Sequence, residues 1–371
     1  MRRYQPKTTL RDEDRERLDF TVSVFGPGMK EATRCAQAFK ARWLRERGDR
    51  LVGGHAPMGA KDPRFLDLSL VEDPRKLPLV VGGAAFGELC GRAFVERHVR
   101  GATFAPAPAV PDPSRVAPLF EEVEITDPTG SYQVFGGSAF VMLVNERKLA
   151  GLPAPTSWEE VLDERYRGLV VTGFNIDDVN EIPLIYLYRL FGAAGLEALA
   201  RNLAGLVDTL DMARTAIPGA NPCAIYLVPY FFAAAMPKRP YLRIVWPREG
   251  AFFSPYYYLA QAGLPPHEHE RARAIVQEFF LGPELAATLA GRDMFHLYGP
   301  CGSGPTIAPS GVAGRGDPVW NDRRLMWLGW DWLLNNGIIE LMATIDAIMT
   351  PLLLERFPQL AADRGKNQWN G

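Results

Sequence analysis

The run Gly26-Pro27-Gly28-Met29-Lys30 ends a strand-like stretch and opens a helical one. Free backbone N–H groups at such a helix start could hold a carboxylate or phosphate, with Lys30 adding positive charge; a tight turn with Lys30 in solvent is the alternative. Gly82-Gly83-Ala84-Ala85 repeats the logic, since small residues let a ligand approach the backbone. Tyr226, Tyr230 and Tyr256-Tyr257-Tyr258 form a phenol-rich set, and along a strand Tyr256 and Tyr258 would leave one face and Tyr257 the other. His267-Glu268-His269-Glu270 has metal-ligand residue types, but it follows Pro265-Pro266 and begins a helix, which predicts an exposed first turn with favourable acids. Met294, His296 and Cys301 are soft ligands at irregular spacing. No carboxylate pair, Ser-His-Asp order, Gly-x-Ser-x-Gly elbow, GxxxxGK[ST] or GxGxxG supports hydrolysis or nucleotide chemistry.

These residues need elements to hold them. Phe20–Phe25 alternates Phe20, Val22 and Val24 against Thr21 and Ser23, which predicts a strand with one buried face. From Met29 the period changes: Ala32, Cys35, Ala36, Phe39 and Trp43 recur at helical spacing, with Lys30, Arg34, Lys40, Arg42 and Arg45 on other faces. Leu77–Val81 meets Gly82-Gly83 and passes into a helical pattern through Phe86, Leu89, Cys90 and Phe94. Further strands are expected at Phe140–Asn145, Leu169–Thr172, Ala224–Val228, Leu242–Trp246 and Tyr256–Leu259, and helices over Ile182–Leu206, Arg271–Leu281 and on to Gly291. Strands followed repeatedly by helices argue for an α/β fold with a mainly parallel sheet. Phe104–Pro118, rich in proline, must be loop. Trp327, Trp330 and Trp332 predict a buried anchor; exposed, they would suit a protein partner.

At 371 residues the chain has room for two domains. Its 41 Lys+Arg and 43 Asp+Glu nearly cancel, so no excess of either sign steers it to nucleic acid. Cys35, Cys90, Cys223 and Cys301 form no CxxC pair, which leaves a zinc ribbon or redox dithiol without support. Met1–Asp19 is a polar leader with no apolar h-region, and Ala224–Met236 and Ile338–Leu354 fall short of the roughly 18 uncharged residues of a membrane span. The chain as written is therefore expected to be cytoplasmic and not membrane-inserted.

Several phrases together carry a resemblance. Val144–Val171 (VNERKLAGLPAPTSWEEVLDERYRGLVV), Cys223–Ala233 (CAIYLVPYFFA), Trp246–Gln261 (WPREGAFFSPYYYLAQ), Ala272–Gly291 (ARAIVQEFFLGPELAATLAG) and Leu77–Gly87 (LPLVVGGAAFG) occur in the order found in solute-binding proteins of ABC transporters. Within that superfamily the chain is most similar to the ferric-iron type, which also holds thiamine- and polyamine-type binders, over about residues 20–350. The resemblance implies a two-lobed clamshell of the type II periplasmic-binding-protein fold, each lobe a mainly parallel sheet flanked by helices. Residues 20–138 and 252–371 would form one lobe and 139–251 the other, with crossings near Gly136–Ala139 and Glu249–Ser254.

The resemblance also directs attention to a ligand site. It puts Tyr230 and Tyr256 beside cleft positions, where each could give a phenol to an anion or a ring face to a cation. Ser138 and Ser254 would supply hydroxyls at the crossings, and Asn175, with Asp177 or Asp178, would follow a strand of the second lobe. With Gly28, Met29, Lys30, Gly83 and Ala84 these are the expected ligand-binding residues. Where ferric-binding relatives carry two adjacent tyrosines, this chain has Tyr230-Phe231, so one phenol remains and Tyr230 is the metal-ligand candidate. The implied function is capture of a small polar or anionic ligand or metal complex by lobe closure, without catalysis or a resident cofactor, and with an ABC permease as partner if the chain is exported. An enzyme on the same clamshell, using His296 or Cys301, is the alternative, as is a cytoplasmic sensor or delivery protein.

Overall fold

The computed structural model describes residues 16–24, 28–55, 68–105, 116–175, 178–179, 181–207, 223–298 and 323–358. Residues 1–15 of the leader, Phe25, Gly26, Pro27, most of the proline-rich loop, Asp177 and Cys301 lie outside them.

β1 (Phe20–Val22) leads to α1 (Met29–Arg47), whose buried residues are Ala32, Cys35, Ala36, Phe39 and Trp43, the stripe that the helical spacing requires. Gly48 ends the helix with φ 77°, where a side chain would be strained. β2 (Gly53–His55) and β3 (Val80–Ala84) flank β1 in parallel. α2 (Arg92–Phe94), which runs into a π turn, and β4 (Phe104–Ala105) precede the long strand β5 (Gln133–Asn145). The middle of the chain adds α3 (Trp158–Val161), β6 (Val170–Asn175), β7 (Asp178–Val179), α4 (Glu181–Asn202), β8 (Leu203–Val207), β9 (Ile225–Pro229), α5 (Tyr230–Ala234) and β10 (Leu242–Val245). A second long strand, β11 (Ala251–Gln261), is followed by α6 (Pro266–Ile275), α7 (Pro283–Ala290), β12 (Phe295–His296), β13 (Leu325–Met326), α8 (Trp330–Asn336) and α9 (Ile338–Arg356).

The strands hydrogen-bond in the order β2-β1-β3-β11-β5-β9-β6-β7. β1, β2 and β3 are mutually parallel, as are β6, β8 and β9, while β5 and β11 run antiparallel to each other and join the two groups. Helices cover the sheet, so the chain has the expected α/β architecture.

Local sequence explains several joints. Ser157 caps α3 by accepting from Glu160 N at 3.1 Å, while the Glu160 carboxylate accepts from Thr156 N, one residue before the cap, at 2.7 Å. Trp158 then stacks on Phe252 with ring centroids 3.7 Å apart, and Tyr186 of α4 on Phe252 at 4.4 Å, tying the middle segment to β11. Tyr256 and Tyr258 pack with α1, α6 and α7, and Tyr257 in the other apolar core, as the period of two requires.

Some elements differ from expectation. Gly82 and Gly83 belong to β3 and do not form a loop, because the strand lies against β11 and the Tyr257 ring fills the space a Gly83 side chain would need. The helix expected over Ile182–Leu206 stops at Asn202, whose amide donates to Val161 O and Asp163 O, and Leu203 turns into a strand beside Val170. Ile182–Asn202 is long and apolar enough to cross a membrane by length and composition, yet half of its apolar window is buried, and Tyr186 Oη donates to Phe253 O at 2.7 Å within the core. α9 packs chiefly along α4 of the middle segment, since its buried Leu341, Ile345, Met349 and Leu353 need an apolar partner face. Of the three expected anchor tryptophans Trp330 is buried, while Trp327 and Trp332 are half-buried.

Candidate ligand site

The two parallel groups of strands point at each other. β3 ends at Ala84, which pairs with Tyr256 and through it with Gly136 of β5, whereas β9 ends at Pro229, which pairs with Phe140 of the same strand. From Gly136 to Phe140 is four residues, a gap of about 13 Å at the rise of a strand. Ser138 stands at its midpoint and pairs with Ser254 of β11. β1 runs with β3 and β6 with β9, so the carboxyl ends of four strands, and the start of α1 after β1, converge on this stretch. Such a reversal of strand direction is where open α/β sheets leave a ligand crevice.

Most of the expected residues gather here, in differing roles. Ser138 and Ser254 are buried, and as directly opposed partners they leave the same face of the sheet. Gly28 caps α1, and a methyl group there would lie 2.5 Å from Met294 Cε. Tyr256 is buried and donates its hydroxyl to Met294 Sδ at 3.2 Å, so it joins this contact from below. Met29 is half-buried and Lys30 exposed on α1. A methyl group on Gly83 would fall 2.5 Å from the Tyr257 ring, so the small residue serves packing against β11 there. Ala84 is buried at the end of β3, and Ala85 follows with φ 54°, its N–H bonded to Pro255 O at 2.8 Å; a non-glycine residue in that region stores strain. Asn175 ends β6, its backbone paired with Asp178.

Tyr230 opens α5 directly after β9 and is buried. Its ring is edge-on to Trp246 at 5.7 Å and stacked with Phe295 at 6.3 Å, and the Arg323 guanidinium stands 5.8 Å from it and 5.1 Å from Trp246. A cation over two electron-rich rings is favourable and gives this side of the gap a positive charge. Trp246, Phe295 and Arg323 stand in no pattern that marks a site, since Trp246 follows β10, Phe295 lies in a two-residue strand and the arginine belongs to no periodic stretch. Phe231, the second member of the expected tyrosine pair, is buried in apolar packing against Phe232.

The remaining candidates are accounted for elsewhere. Tyr226 Oη donates to Cys223 O and Tyr257 Oη lies 3.4 Å from Cys90 Sγ, both within the core. His296 uses its ring nitrogens on Phe280 O at 2.9 Å and on the backbone of Tyr298, which gives it a structural role. His267, His269 and Glu270 are exposed on the first turn of α6, and Glu268 pairs with Arg17 at 3.0 Å. Beside the gap, burial works against the charge of Glu31, but Arg292, its own backbone and Arg34 hold the carboxyl below its ordinary value. Burial raises the Asp293 carboxyl, whose backbone also lies at φ 56°. Among the described residues no three His, Cys, Asp or Glu side chains gather to hold a metal ion.

The model of the bacterial extracellular solute-binding protein family matches residues 76–336, well over half of the chain. The chain belongs to that family. This solute-binding protein also shares its fold with solved structures of low sequence identity. The ferric binding protein from Campylobacter jejuni is 13% identical with a TM-score of 0.59, over 89% of this chain and 99% of that one. The Bordetella ferric binding protein is 12% identical with a TM-score of 0.58, over 91% and 99%. The periplasmic binding protein AfuA from Actinobacillus pleuropneumoniae, with exogenous fructose-6-phosphate bound, is 13% identical with a TM-score of 0.58, over 90% and 99%. No curated protein sequence matches the chain. The two-lobed periplasmic-binding-protein fold is thus the fold of this solute-binding protein, and the sheet that passes through β5 and β11 is its backbone.

Proposed function

We propose that the protein captures a small anionic ligand, free or as a metal complex, in the gap between the ends of β3 and β9. The observation that carries this reading is the head-on approach of the two strand groups over Ser138 and Ser254, with Arg323 and Tyr230 on one side and the N-terminus of α1 on the other. A helix N-terminus and a guanidinium both favour negative charge, and hydroxyls supply neutral donors. Residues 20–138 with the strands from β11 onward form one lobe and 139–251 the other in this reading, with α9 spanning to α4. Closure brings the two sets of donors onto one ligand, which must touch both lobes to shift the population.

Binding without turnover fits the family, whose members are solute-binding proteins. A ligand related to those named for the structural relatives, a ferric complex or a sugar phosphate, would suit the donors. Residence follows the same logic: the family is described as extracellular, an ABC permease would be the partner there, and a cytoplasmic sensor remains the competing reading. Fractionation of the native host decides between them.

The test is native mass spectrometry and metal analysis of the full chain, followed by titration with inorganic phosphate, ferric citrate and fructose-6-phosphate. A co-purifying anion, or saturable binding of one probe without product, is the expected result. An empty chain that binds none of the three, or one that converts a probe to product, would overturn the reading.

A further inference from the structure

His55 ends β2 and bonds to both sides of the connection between β1 and α1. Its Nε2 atom lies 3.2 Å from the carbonyl oxygen of Val24, the last described residue ahead of that connection. Its Nδ1 atom lies 3.2 Å from Thr33 Oγ1, one turn into α1, and Thr33 Oγ1 in turn donates to Met29 O at 2.9 Å. The ring is buried.

The hydrogens along this row can be counted. Both carbonyl oxygens only accept, so Nε2 must carry a hydrogen for Val24, and the Thr33 hydroxyl hydrogen goes to Met29. A neutral ring then has none left for Nδ1, whose lone pair faces those of Thr33 Oγ1. Turning the hydroxyl toward Nδ1 repairs that contact and gives up the one to Met29 O. An imidazolium satisfies all three contacts, because Nδ1–H donates to Thr33 while Thr33 donates to Met29. Hydrogen bonding therefore favours two ring protons. Burial favours one and prevails, holding the ring below its ordinary value, and the positive end of the α1 dipole opposes the second proton as well.

No charged side chain among the described residues acts on the ring. β1 and β2 carry none, and Asp19, ahead of β1, is taken by Val52 N and by Arg271. On α1, Lys40 donates to Gly53 O at 2.8 Å, Glu31 is paired with Arg292 and Arg34, and Lys30 and Arg34 are exposed. The ring is thus poised, and a negative charge arriving at the start of α1 would tip it by offsetting the helix dipole.

We infer that anion capture at the start of α1 is coupled to uptake of a proton from solvent by His55, an inference that rests on the anion reading above. Linkage is reciprocal, so protonation strengthens anion binding by the factor by which the anion strengthens protonation. The free chain holds the ring neutral at neutral pH and the loaded chain keeps it charged over a wider range, so capture tightens as pH falls from about 8 to about 5.5.

The experiment titrates the full wild-type chain and His55→Gln with inorganic phosphate, ferric citrate and fructose-6-phosphate by calorimetry. Two buffers of different ionisation enthalpy at each pH give the protons taken up. Comparison with the variant cancels the titration of the probe itself. Near pH 6 the wild type is expected to take up at least about 0.2 proton more per bound anion than His55→Gln. Its affinity relative to the variant should rise about threefold or more between about pH 8 and pH 5.5. Thr33→Val, which removes the partner of Nδ1, should reduce the extra uptake while binding persists at pH 8. Equal proton uptake in wild type and His55→Gln, or an affinity ratio that does not change with pH, would overturn the coupling and leave the anion reading standing. Failure of every probe to bind at either pH overturns the anion reading, and the coupling with it. If His55→Gln does not fold, the His55 ring resonance of the wild type, titrated with and without saturating probe, reads the same coupling, and a midpoint that does not rise overturns it.

Discussion

Ser138 and Ser254 face each other on adjacent antiparallel strands, 4% and 3% exposed, at the point where two oppositely directed groups of parallel strands run out. Neither belongs to a motif with a catalytic spacing. Their importance comes from position, because each is the residue at which its strand passes from one strand group to the other.

Replacing either serine by valine keeps a side chain that suits a strand and removes the hydroxyl. Affinity for the co-purified or titrated anion is expected to fall by about tenfold in each variant, the worth of one hydrogen bond to a charged partner, with the unfolding free energy changed by no more than about 1 kcal/mol. Calorimetric titration and urea unfolding check this. Wild-type affinity in both variants would remove the centre of the crossing strands from the site.

Tyr230→Phe and Tyr256→Phe should separate binding from packing. The Tyr230 ring keeps its contacts with Trp246 and Phe295 when the hydroxyl is lost, so anion affinity should drop about tenfold while the unfolding midpoint stays near wild type. Tyr256 spends its hydroxyl on Met294 Sδ, so its variant should lose about 1 kcal/mol or less of stability and none of the affinity. The opposite pattern would exchange the two roles.

Two glycines with equally short virtual contacts should respond differently to alanine. At Gly83 the new methyl group meets the buried Tyr257 ring at 2.5 Å, and overpacking of that kind costs about 1–3 kcal/mol. At Gly28 the nearest atom is the terminal methyl of Met294, which can rotate away, so Gly28→Ala should cost less. Urea midpoints of the two variants make the comparison, and an equal loss would mean that Met294 is as firmly fixed as the tyrosine.

The His55 imidazole should make stability depend on pH. Burial holds it below its ordinary value of 6.5, with the Val24 carbonyl pulling the other way. Because the unfolded chain takes up the proton more readily, the neutral ring contributes its full stability above about pH 6.5, and the contribution is lost as pH falls through the lowered folded value. Urea midpoints should therefore decline from about pH 7.5 to about pH 5, and decline less in His55→Leu. Equal slopes in the two proteins would show that His55 titrates alike folded and unfolded.

Burial also pushes the Cys90 thiol up to about 12 and the Cys35 thiol up to about 11. Since the thiolate is the reactive form, both cysteines should be silent to a thiol reagent near pH 8 and react on unfolding. Mass spectrometry of the labelled native chain, peptide by peptide, checks it, and labelling of Cys90 before unfolding would contradict its burial.

The elements of this protein were legible because periodicity is a local property. The stripe from Ala32 to Trp43 gives α1 with its buried face, the alternation of Tyr256, Tyr257 and Tyr258 sends them to two cores, and the phrase from Thr156 to Tyr166 writes out its own caps and turns. The order of such phrases carried the family. Sequence alone did not decide which small or phenolic residues meet the gap between β3 and β9. Gly83 reads like a ligand loop until Tyr257, from a strand distant in the chain, occupies its space, and Tyr256 reads like a cleft phenol until Met294 takes its hydroxyl. Arg323 carries no pattern, yet it reaches Tyr230 because β13 threads back beside β11. Local periodicity fixes which face of an element is buried; which distant side chain arrives at that face is set by pairing between strands, and only the folded sheet holds that information.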